Sequence, residues 1–406
     1  MPDWKLKTRG TLPIGLDIGH SSVRMLQLAA TEGRLSAVAA RSVAIEPDAL
    51  DDEQRRRKVI ISAVQRALAE GKFRRRDVVS FLPSDELRIT SLRLDAEEAA
   101  ELDQTLRQEA AQRFGLDPAR DCIRYIPAGD VHHGDELKNE FILFAAAEQS
   151  VNEHIAFLQE MGLRPVGLDA LPCALFRCFE RLLQRQEDQE RAVVFIDLGS
   201  RFTTVVFGRG RRITFVKQIA IGGHNFNKEI SAKLGVSISQ AQSLRARLNA
   251  ERNIAESSTG VTGGCDSENI SQPVEQAAAQ ALDSSTRQVI IDAIESVAEK
   301  LAREISLCFR YYTVTFRGKH VERAVFSGGE AYERILLNVL RRRLAVEAEL
   351  AQPMRGFDMT NLDFDSDKRA VLCEWAVAVG LSLKGRKQIT GGRSWLRAIP
   401  ECVMRS

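Results

Sequence analysis

The sequence predicts an α/β fold made of two related halves, because one short pattern occurs twice in the chain. Residues 14–24 read IGLDIGHSSVR, and residues 194–204, in the second half, read VFIDLGSRFTT. Each copy is an apolar strand that delivers an aspartate to a glycine turn, after which hydroxyl side chains enter a second strand. Strand and helix patterns alternate along the rest of the chain. At 406 residues, of which 44% are hydrophobic and 28% charged, the chain is long enough for two domains.

Each repeated turn has the chemistry of a phosphate-binding loop. Gly19 and Gly199 let the backbone approach an anion with no Cβ in the way, and a turn of this kind presents backbone N–H groups. Asp17 and Asp197 would repel phosphate, so we expect them to hold hydrated Mg²⁺, which prefers carboxylates and retained waters. An ordinary buried strand–turn–strand unit is the alternative for either copy alone. The hydroxyl donors that follow the glycines are Ser21, Ser22, Thr203 and Thr204.

A third glycine motif lies late in the second half. Residues 323–330, RAVFSGGE, indicate a strand that runs into paired glycines, with a helix beginning near Ala331. The pair, Gly328 and Gly329, lets a flat adenine or ribose lie against the backbone, and a new helix offers unpaired N–H groups. The order of two loops followed by paired glycines predicts one nucleotide site assembled from all three.

Composition argues against several other classes of protein. The formal net charge of +2 gives nucleic-acid binding no support. Basic clusters at 55–58, 74–76 and 341–343 are interpreted as solvated faces and loops, with attraction to an anionic membrane surface as the alternative. The longest apolar run, 141–147, is too short to cross a bilayer, and the N-terminus lacks a signal-peptide core, so we expect a cytoplasmic protein. Seven scattered cysteines without a C-x-x-C pair predict neither a disulfide framework nor a zinc site.

Patterns along the chain divide it into two lobes and a tail. Residues from about 249 to 286 are rich in Ser, Thr, Gln, Ala and Gly, which predicts a loosely ordered segment. Apolar side chains spaced from Ile290 to Tyr312 then predict a long amphipathic helix. The expected units are a first lobe over 13–190 with an α+β insert at about 87–161, a second lobe over 191–385 with a helical insert at about 235–317, and a C-terminal tail over 386–406.

These motifs resemble those of a known superfamily. The Asp-x-Gly patterns at 17–19 and 197–199 and the Ser-Gly-Gly at 327–329 look like the phosphate-1, phosphate-2 and adenosine motifs of the actin, heat-shock chaperone and sugar-kinase superfamily. The resemblance implies the actin-like (ribonuclease H-like) fold, which is a duplicated two-lobe α/β architecture. Within that superfamily, the chain resembles the PilM family of type IV pilus assembly. The stretches that carry this likeness are 15–24, 143–147 (LFAAA), 162–169 (GLRPVGLD), 219–226 (IAIGGHNF) and 308–312 (CFRYY).

The resemblance implies an ATP-binding scaffold with weak or absent ATPase activity. Proteins of the PilM family bind ATP between their halves. They capture the N-terminal tail of the inner-membrane protein PilN in a groove near the inserted subdomain. We therefore expect a PilN-like partner at the cytoplasmic face of the inner membrane, contact with the membrane only through partners, and communication with pilus motor ATPases.

By position, the resemblance also assigns roles to single residues. Asp17 and Asp197 would hold Mg²⁺. Asp169, which lies where the connecting segment enters the site, is the candidate for positioning an attacking water. The nucleotide-binding candidates, besides the two metal ligands, are Gly19, Ser21, Ser22, Arg24, Gly199, Thr203, Thr204, Gly222, Gly223, Gln242, Arg245, Gly328, Gly329 and Glu330.

Two departures from the family pattern bear on nucleotide affinity. The first loop usually ends in lysine, whereas Arg24 is a fork-shaped donor. The helix that contacts ribose usually carries Ala-Glu and then Lys, whereas residues 241–245 read AQSLR. Gln242 can still accept a hydrogen bond, but the stronger carboxylate acceptor is lost.

Two other function classes use the same fold. A small-molecule kinase would need a catalytic base in the first half, for which Asp169 is too generic a signal. An FtsA-like filament-forming membrane adaptor would need an amphipathic C-terminal anchor, and Pro400 interrupts any helix there.

Overall fold

The computed structural model describes residues 10–31, 34–46, 52–95, 99–133, 136–183, 191–259, 282–316, 321–360, 362 and 372–385. The predicted tail at 386–406 lies outside the described residues. The strands are β1 Gly10–Ile18, β2 Ser22–Thr31, β3 Arg34–Ala44, β4 Asp77–Phe81, β5 Arg88–Leu94, β6 Cys122–His133, β7 Glu136–Ala146, β8 Arg164–Asp169, β9 Ala192–Leu198, β10 Thr203–Arg209, β11 Arg212–Ile219, β12 Val321–Ser327 and β13 Glu347–Leu350. The helices are α1 Glu53–Glu70, α2 Ala99–Phe114, α3 Glu148–Glu160, α4 Leu171–Glu180, α5 Gly223–Leu234, α6 Ile238–Thr259, α7 Ser284–Thr315, α8 Arg334–Leu344 and α9 Ala376–Leu383.

Two five-stranded sheets share one topology. The first sheet has the strand order β3-β2-β1-β4-β8, and the second has the order β11-β10-β9-β12-β13. In each sheet, three antiparallel strands come first in the chain and two parallel strands complete the other side. The duplicated two-lobe α/β fold that the repeated motif predicted is therefore confirmed.

The central strands are continuous apolar runs because they are covered on both faces. All seven residues of β9 are buried, and so are the first six of β10. A strand that packs against elements on both faces has no solvent side, and its sequence shows no alternation of apolar and polar residues. The buried polar exceptions lie next to the repeated turns: Asp17 and Asp197 lie near the ends of β1 and β9, and Thr203 and Thr204 begin β10.

The insert of the first half is a three-stranded antiparallel sheet with the order β5-β7-β6. Helix α2 covers one face of it, where Leu106 and Ala110 pack in one cluster with Phe141 and Leu143. The chain then returns through α3 to β8, which pairs in parallel with β4 of the first sheet. Along the chain, the insert therefore lies between β4 and β8, which are neighbouring strands of the first sheet.

The insert of the second half is helical. Helix α6 continues to Thr259 and α7 begins at Ser284, so residues 249–259 and 284–286 are helical where a loosely ordered segment was predicted. Residues 260–281 of that predicted segment lie outside the described residues. Asp283 caps α7 by accepting a hydrogen bond from the backbone N–H of Thr286 at 2.8 Å. Within the described part of the chain, no helix has both the length and the apolar character needed to cross a membrane.

Two helices join the lobes. Helix α4 follows β8 of the first sheet, yet its Phe176 and Phe179 pack against Phe195 of β9 in the second sheet. Helix α9, which follows the second sheet, packs on β1 and α4. The approach is close, because a Cβ on Gly380 would lie 1.8 Å from the carbonyl oxygen of Ala174. One hydrophobic core therefore runs through both lobes and fixes the ends of β1 and β9 relative to each other.

Candidate functional site

The two repeated turns have matching hydrogen bonds. In the first turn, residues 19–22, the backbone N–H of Gly19 donates to the carbonyl oxygen of Ser22 at 2.9 Å. In the second turn, residues 199–202, the N–H of Gly199 donates to the carbonyl oxygen of Phe202 at 3.1 Å. Each turn joins the central strand of its sheet to the next antiparallel strand, so both halves end in the same local geometry.

Both turns line one cavity of about 550 Å³ that lies between the lobes, here called the larger cavity. The Asp17 carboxylate enters it from the end of β1, and the Asp197 carboxylate from the end of β9. The predicted site residues that line the larger cavity are Asp17, Gly19, Ser21, Ser22, Arg24, Asp197, Gly199, Thr204, Gly328, Gly329 and Glu330.

The larger cavity concentrates buried charge. Burial raises the pKa of Asp17 to about 7, and the negative charge of Asp197 adds to that rise while Arg24 opposes it. Burial also raises the pKa of Asp197, although the Ser327 hydroxyl donates to its Oδ1 at 3.1 Å. Arg24 Nη1 lies 3.8 Å from Asp17 Oδ2, and its buried Nε has no hydrogen-bond partner among the described residues.

These charges fit a nucleotide with a divalent cation. A cation between Asp17 and Asp197 would relieve two buried carboxylates, and a phosphate oxygen would give Arg24 Nε an acceptor. Among the residues that the structure describes, no group of three or more His, Cys, Asp or Glu side chains is arranged to hold a metal ion. Mg²⁺ commonly takes one or two carboxylates and completes its octahedron with phosphate oxygens and water.

A smaller cavity of about 370 Å³ adjoins the larger one. Its lining includes the predicted residues Gln242 and Arg245 on α6. The lining residues common to both cavities are His20, Ser21, Ser200, Gly329 and Glu330. The two cavities therefore form one cleft, with the repeated turns at one end and α6 at the other.

Arg245 is held in place by carboxylates and is buried. Its Nη2 donates to Glu330 Oε2 at 2.6 Å, and its Nε donates to Glu333 Oε2 at 2.9 Å. The guanidinium carbon also lies 4.7 Å from the centroid of the Phe226 ring. Burial alone would lower the pKa of Arg245, but the two carboxylates raise it. Arg245 thus ties α6 to the segment before α8 and forms part of the cleft wall.

Three predicted nucleotide-binding residues support the second turn and are absent from the lining of both cavities. The Thr203 hydroxyl donates to the carbonyl oxygen of Ile221 at 2.7 Å, next to Gly222. The N–H of Gly223 donates to the carbonyl oxygen of Gly199 at 3.1 Å. Gly222 and Gly223 therefore hold the second turn against α5, and the first N–H groups of α5 are already used by that turn.

Asp169 lines neither cavity. Its Oδ2 accepts from Arg177 Nη1 at 2.7 Å, its Oδ1 accepts from the N–H of Ala170 at 2.9 Å, and Lys384 Nζ lies 3.4 Å from that oxygen. Burial would raise the pKa of Asp169, but Arg177 and Lys384 lower it. A carboxylate with both oxygens engaged and a lowered pKa is poorly suited to activate water. The geometry instead gives Asp169 a structural place where β8, α4 and α9 meet.

The paired-glycine motif ends β12 against β9. Gly328 has a φ of 93°, and a Cβ there would lie 2.4 Å from the carbonyl oxygen of Leu198. A short 3₁₀ turn, Gly329–Tyr332, follows it, and α8 begins only at Arg334. The helix expected near Ala331 is therefore displaced, and the 3₁₀ turn lines the cleft in its place.

The sequence comparison decides the family. Residues 15–257 match the family described as "Type IV pilus assembly protein PilM". The chain belongs to the PilM family. Among solved structures, one titled "PilM-PilN type IV pilus biogenesis complex" is similar, with a TM-score of 0.71, 21% identity, and coverage of 92% of this chain and 98% of that chain. The ethanolamine utilization protein EutJ from Carboxydothermus hydrogenoformans has a TM-score of 0.50 at 11% identity, covering 92% of this chain and 89% of its own. These likenesses show a shared fold.

In this PilM family member, sequence reasoning missed several residues of the larger cavity. Arg56 and Arg57 belong to the basic cluster interpreted as a solvated face, yet both line the cavity. Arg56 Nη2 donates to the carbonyl oxygen of Gly19 at 2.8 Å and so supports the first turn. The sequence signal that could have indicated this role was the position of the cluster at the start of α1, the helix that follows β3.

Buried His154 of the insert is a second missed residue of the larger cavity. Its Nε2 lies 3.3 Å from Ser80 Oγ on β4, and burial lowers its pKa to about 4. A histidine with this pKa is neutral near pH 7. Helix α3 thus brings the insert to the wall of the cleft, a contact between distant segments that no local pattern reports.

Proposed function

We propose that this PilM family member binds Mg-ATP between its two lobes. The observation that carries the proposal is that Asp17 and Asp197, from corresponding positions of a duplicated sheet, line one cavity together with both glycine turns. In this proposal the two turns and Arg24 hold the triphosphate, and Asp17 and Asp197 hold Mg²⁺ through its coordinated waters. The nucleoside lies in the smaller cavity, beside Gly329, Glu330 and Gln242.

The same proposal favours binding over turnover. In the described residues around the larger cavity, the predicted water-positioning residue Asp169 is not in the lining, and its carboxylate is engaged by Arg177 and Lys384. We therefore expect weak or absent ATPase activity. ATP would then act mainly as a ligand that draws together the lobes at 13–190 and 191–385.

The partner in this proposal is the N-terminal tail of a PilN-like inner-membrane protein. Membership in the PilM family supports a role in type IV pilus assembly. The similar solved structure titled as a PilM–PilN complex supports a PilN-like partner. The protein would then be a cytoplasmic scaffold at the inner membrane, held there through its partner and in communication with pilus motor ATPases.

Nucleotide and peptide are proposed to influence each other. A ligand that binds the closed arrangement of the lobes more tightly than the open one shifts the population toward the closed arrangement. His154 and Phe157 of the insert line the larger cavity, so closing around a nucleotide would also move the insert. By linkage, any effect of Mg-ATP on peptide affinity must equal the effect of the peptide on Mg-ATP affinity.

The test is a titration of the full chain with a PilN-type N-terminal peptide, with and without Mg-ATP. We expect saturable binding of Mg-ATP and a change in peptide affinity when the nucleotide is present. Asp197→Ala should abolish the nucleotide effect and leave the nucleotide-free peptide affinity in place, and Glu349→Gln, outside both cavities, should behave as the parent chain. Identical peptide affinities with and without Mg-ATP would contradict the proposed coupling. Failure of Mg-ATP to bind would contradict the proposed nucleotide site.

A further inference from the structure

A basic loop between α1 and β4, residues 72–76, lies away from the cleft. Residues 66–76 read RALAEGKFRRR and carry five basic side chains against one carboxylate, Glu70. Strand β4 begins at Asp77, just after the loop, and ends at Phe81, which lines the larger cavity. The basic loop therefore lies at the opposite end of the first sheet from the cleft. Its exposed side chains are Lys72, Arg74, Arg75 and Arg76.

The backbone of the basic loop is held by a buried glutamine of β2. Gln27 is 1% exposed, and its Oε1 accepts from the backbone N–H of Arg74 at 2.7 Å. Its Nε2 donates to the carbonyl oxygen of Arg74 at 2.6 Å and to that of Leu12 at 3.1 Å. The carbonyl oxygen of Arg76 accepts from the N–H of Arg164 on β8 at 2.8 Å. The first sheet thus fixes the backbone at both ends of the arginine triplet 74–76.

Between these two fixed points, Arg75 has an unusual backbone conformation. Its φ is 63°, in the left-handed region that residues other than glycine seldom adopt. Such a conformation costs stability and persists only where the surrounding structure holds it. Residues with backbone strain of this kind are common where a loop binds a ligand or a partner. The basic loop is therefore held in one defined turn that carries three exposed arginines.

The charges of the arginine triplet 74–76 are not neutralised within the described part of the chain. None of the three forms an ion pair there, and the neighbouring carboxylate of Asp77 pairs with Arg164 instead. Uncompensated arginines so close together repel one another, and an anionic partner would relieve that repulsion. The basic loop therefore has the charge that fits a polyanionic surface.

The other two basic clusters of the sequence have partners. Two arginines of the cluster at 341–343 donate to Glu299, at 2.9 and 2.7 Å. In the cluster at 55–58, Arg57 pairs with Glu160 at 2.5 Å. Sequence alone gives the three clusters the same appearance, whereas the structure distinguishes the basic loop by its lack of ion pairs among the described residues.

We propose that the basic loop binds the anionic headgroups of a lipid bilayer directly. This inference goes beyond the proposed function, in which a partner alone holds the chain at the membrane. The choice of a lipid surface over another polyanion rests on that function, which puts the chain at the cytoplasmic face of the inner membrane. Exposed clusters of arginine and lysine are attracted to anionic membranes, and each such residue strengthens the association about fivefold.

The direct contact is a second, weak attachment beside the PilN-like tail. A basic patch alone gives reversible association, and stable anchoring takes two signals. The tail would supply one signal and the basic loop the other. Because the loop is fixed to the first sheet, the contact would also determine which end of the first lobe is turned toward the bilayer.

The experiment measures co-sedimentation of the full chain with lipid vesicles, without nucleotide or peptide. One set of vesicles contains about 30% phosphatidylglycerol in phosphatidylcholine, and the other contains phosphatidylcholine alone. The chain should associate with the anionic vesicles only. Association should fall as salt is raised from about 0.05 M to about 0.5 M, because salt screens exposed charges. At equal ionic strength, inorganic phosphate should displace the vesicles no more than chloride does.

A combined variant tests the arginine triplet 74–76. Arg74→Gln, Arg75→Gln and Arg76→Gln together should weaken association with anionic vesicles by about tenfold or more. Arg341→Gln, Arg342→Gln and Arg343→Gln together form the matched control, since they remove the same number of charges from the second lobe. The control should stay within about twofold of the parent chain. A second test is the single change Lys72→Gln, which keeps the triplet and should weaken association about fivefold.

Four outcomes would overturn the inference: no association with anionic vesicles, equal association with both kinds of vesicle, displacement by phosphate beyond that by chloride, and an equal loss in the two combined variants. The parent-chain results stand even where a variant fails to fold. Because the assay contains neither nucleotide nor peptide, its failure leaves the Mg-ATP and peptide titrations unaffected. Failure of those titrations would contradict the proposed function and leave the vesicle result in place, so the two failures are distinguishable.

Discussion

Asp17 and Asp197 occupy equivalent positions in two sheets of identical topology, and both line the larger cavity, where the charge of Asp197 raises the pKa of Asp17. Burial and the charge of Asp197 together raise the pKa of Asp17 to about 7. A folded chain without ligand therefore carries an unfavourable carboxylate at neutral pH. Residues placed for binding commonly cost stability in the free protein, and the cost is recovered when the ligand binds.

The first prediction concerns the stability of Asp17→Asn. The folded pKa of about 7 lies above the ordinary value of 3.8, so the folded chain binds the extra proton and its stability falls as pH rises from about 4 to 7. Removing the titrating group should raise the free energy of unfolding by about 1–4 kcal/mol at pH 8 in the absence of Mg²⁺ and nucleotide. The gain should shrink as the pH is lowered to 5. Urea unfolding at several pH values measures it.

The same variant should have the opposite effect on ligand binding. Asp17→Asn should weaken Mg-ATP binding, and Mg-ATP affinity of the parent chain should rise between pH 6 and 8 as Asp17 ionises. Asp95→Asn, which changes an exposed carboxylate, is the control and should alter stability by no more than about 0.5 kcal/mol. Asp17→Asn that is less stable than the parent at pH 8 would contradict the argument.

The sequence predicted those features that repeat or that depend on neighbours in the chain. The two glycine turns and the aspartates before them follow from a local pattern, and the structure gives both copies the same hydrogen bond. The prediction of a loosely ordered segment from about 249 to 286 was partly wrong, and the reason is physical. Residues 249–259 read NAERNIAESST, and their alanines, glutamates and arginine are strong helix formers, so α6 continues through them.

Contacts between residues that are far apart in the chain could not be predicted from a local sequence pattern. The partners of Arg245 are carboxylates more than eighty residues away, and its hydrogen bond to Glu333 spans 88 positions. Asp169 shows the reverse case. An aspartate at the end of a strand is a common site position, but Lys384, near the end of the described chain, folds back beside it. Periodicity reports which side chains share a face of one element and gives no register between elements.

The second prediction tests the close contact at the paired glycines. Gly328→Ala should lower the free energy of unfolding by about 2–4 kcal/mol, because Gly328 has a positive φ and its Cβ would meet the backbone of Leu198. Chemical denaturation measures the loss. The matched control is Gly167→Ala, whose Cβ would lie 3.7 Å from Val79 Cγ2, an ordinary contact. A loss at Gly328 no larger than that at Gly167 would show that β12 can shift away from β9.

The third prediction separates a structural from a catalytic Asp169. Asp169→Asn leaves Arg177 and Lys384 without their buried carboxylate and should cost about 3 kcal/mol of stability near pH 7. Because those two groups lower the folded pKa of Asp169, the parent chain's advantage should be present above pH 4 and fade as the pH falls further. Mg-ATP affinity of the folded variant should stay within about twofold of the parent.

The control for Asp169 is Asp77→Asn, which breaks an exposed ion pair with Arg164 on the same sheet. Exposed pairs contribute little, so its effect should stay below about 1 kcal/mol. A folded Asp169→Asn chain that loses Mg-ATP binding, or that loses a measured ATPase activity while keeping its stability, would return Asp169 to the site.

The last prediction concerns the contact between the two inserts. Tyr311 on α7 donates its hydroxyl to Glu140 Oε1 of β7 at 3.2 Å and accepts from Arg93 Nη2 of β5 at 2.9 Å. Arg93 Nε also donates to Glu140 Oε2 at 2.7 Å, and Glu140 is fully buried. The three groups form one network, so Tyr311→Phe and Arg93→Met should not be additive. A double-mutant cycle should give a coupling energy of about 0.5–1.5 kcal/mol.

The distant pair of Arg93→Met with Arg343→Met serves as the control cycle, because Arg343 pairs with Glu299 outside this network. That cycle should be additive to within about 0.5 kcal/mol. Because the network joins an insert of the first lobe to the long helix of the second, Tyr311→Phe should also reduce any effect of Mg-ATP on peptide affinity. An unchanged nucleotide effect in a chain with the expected coupling energy would show that this contact does not transmit the effect of Mg-ATP to the peptide site.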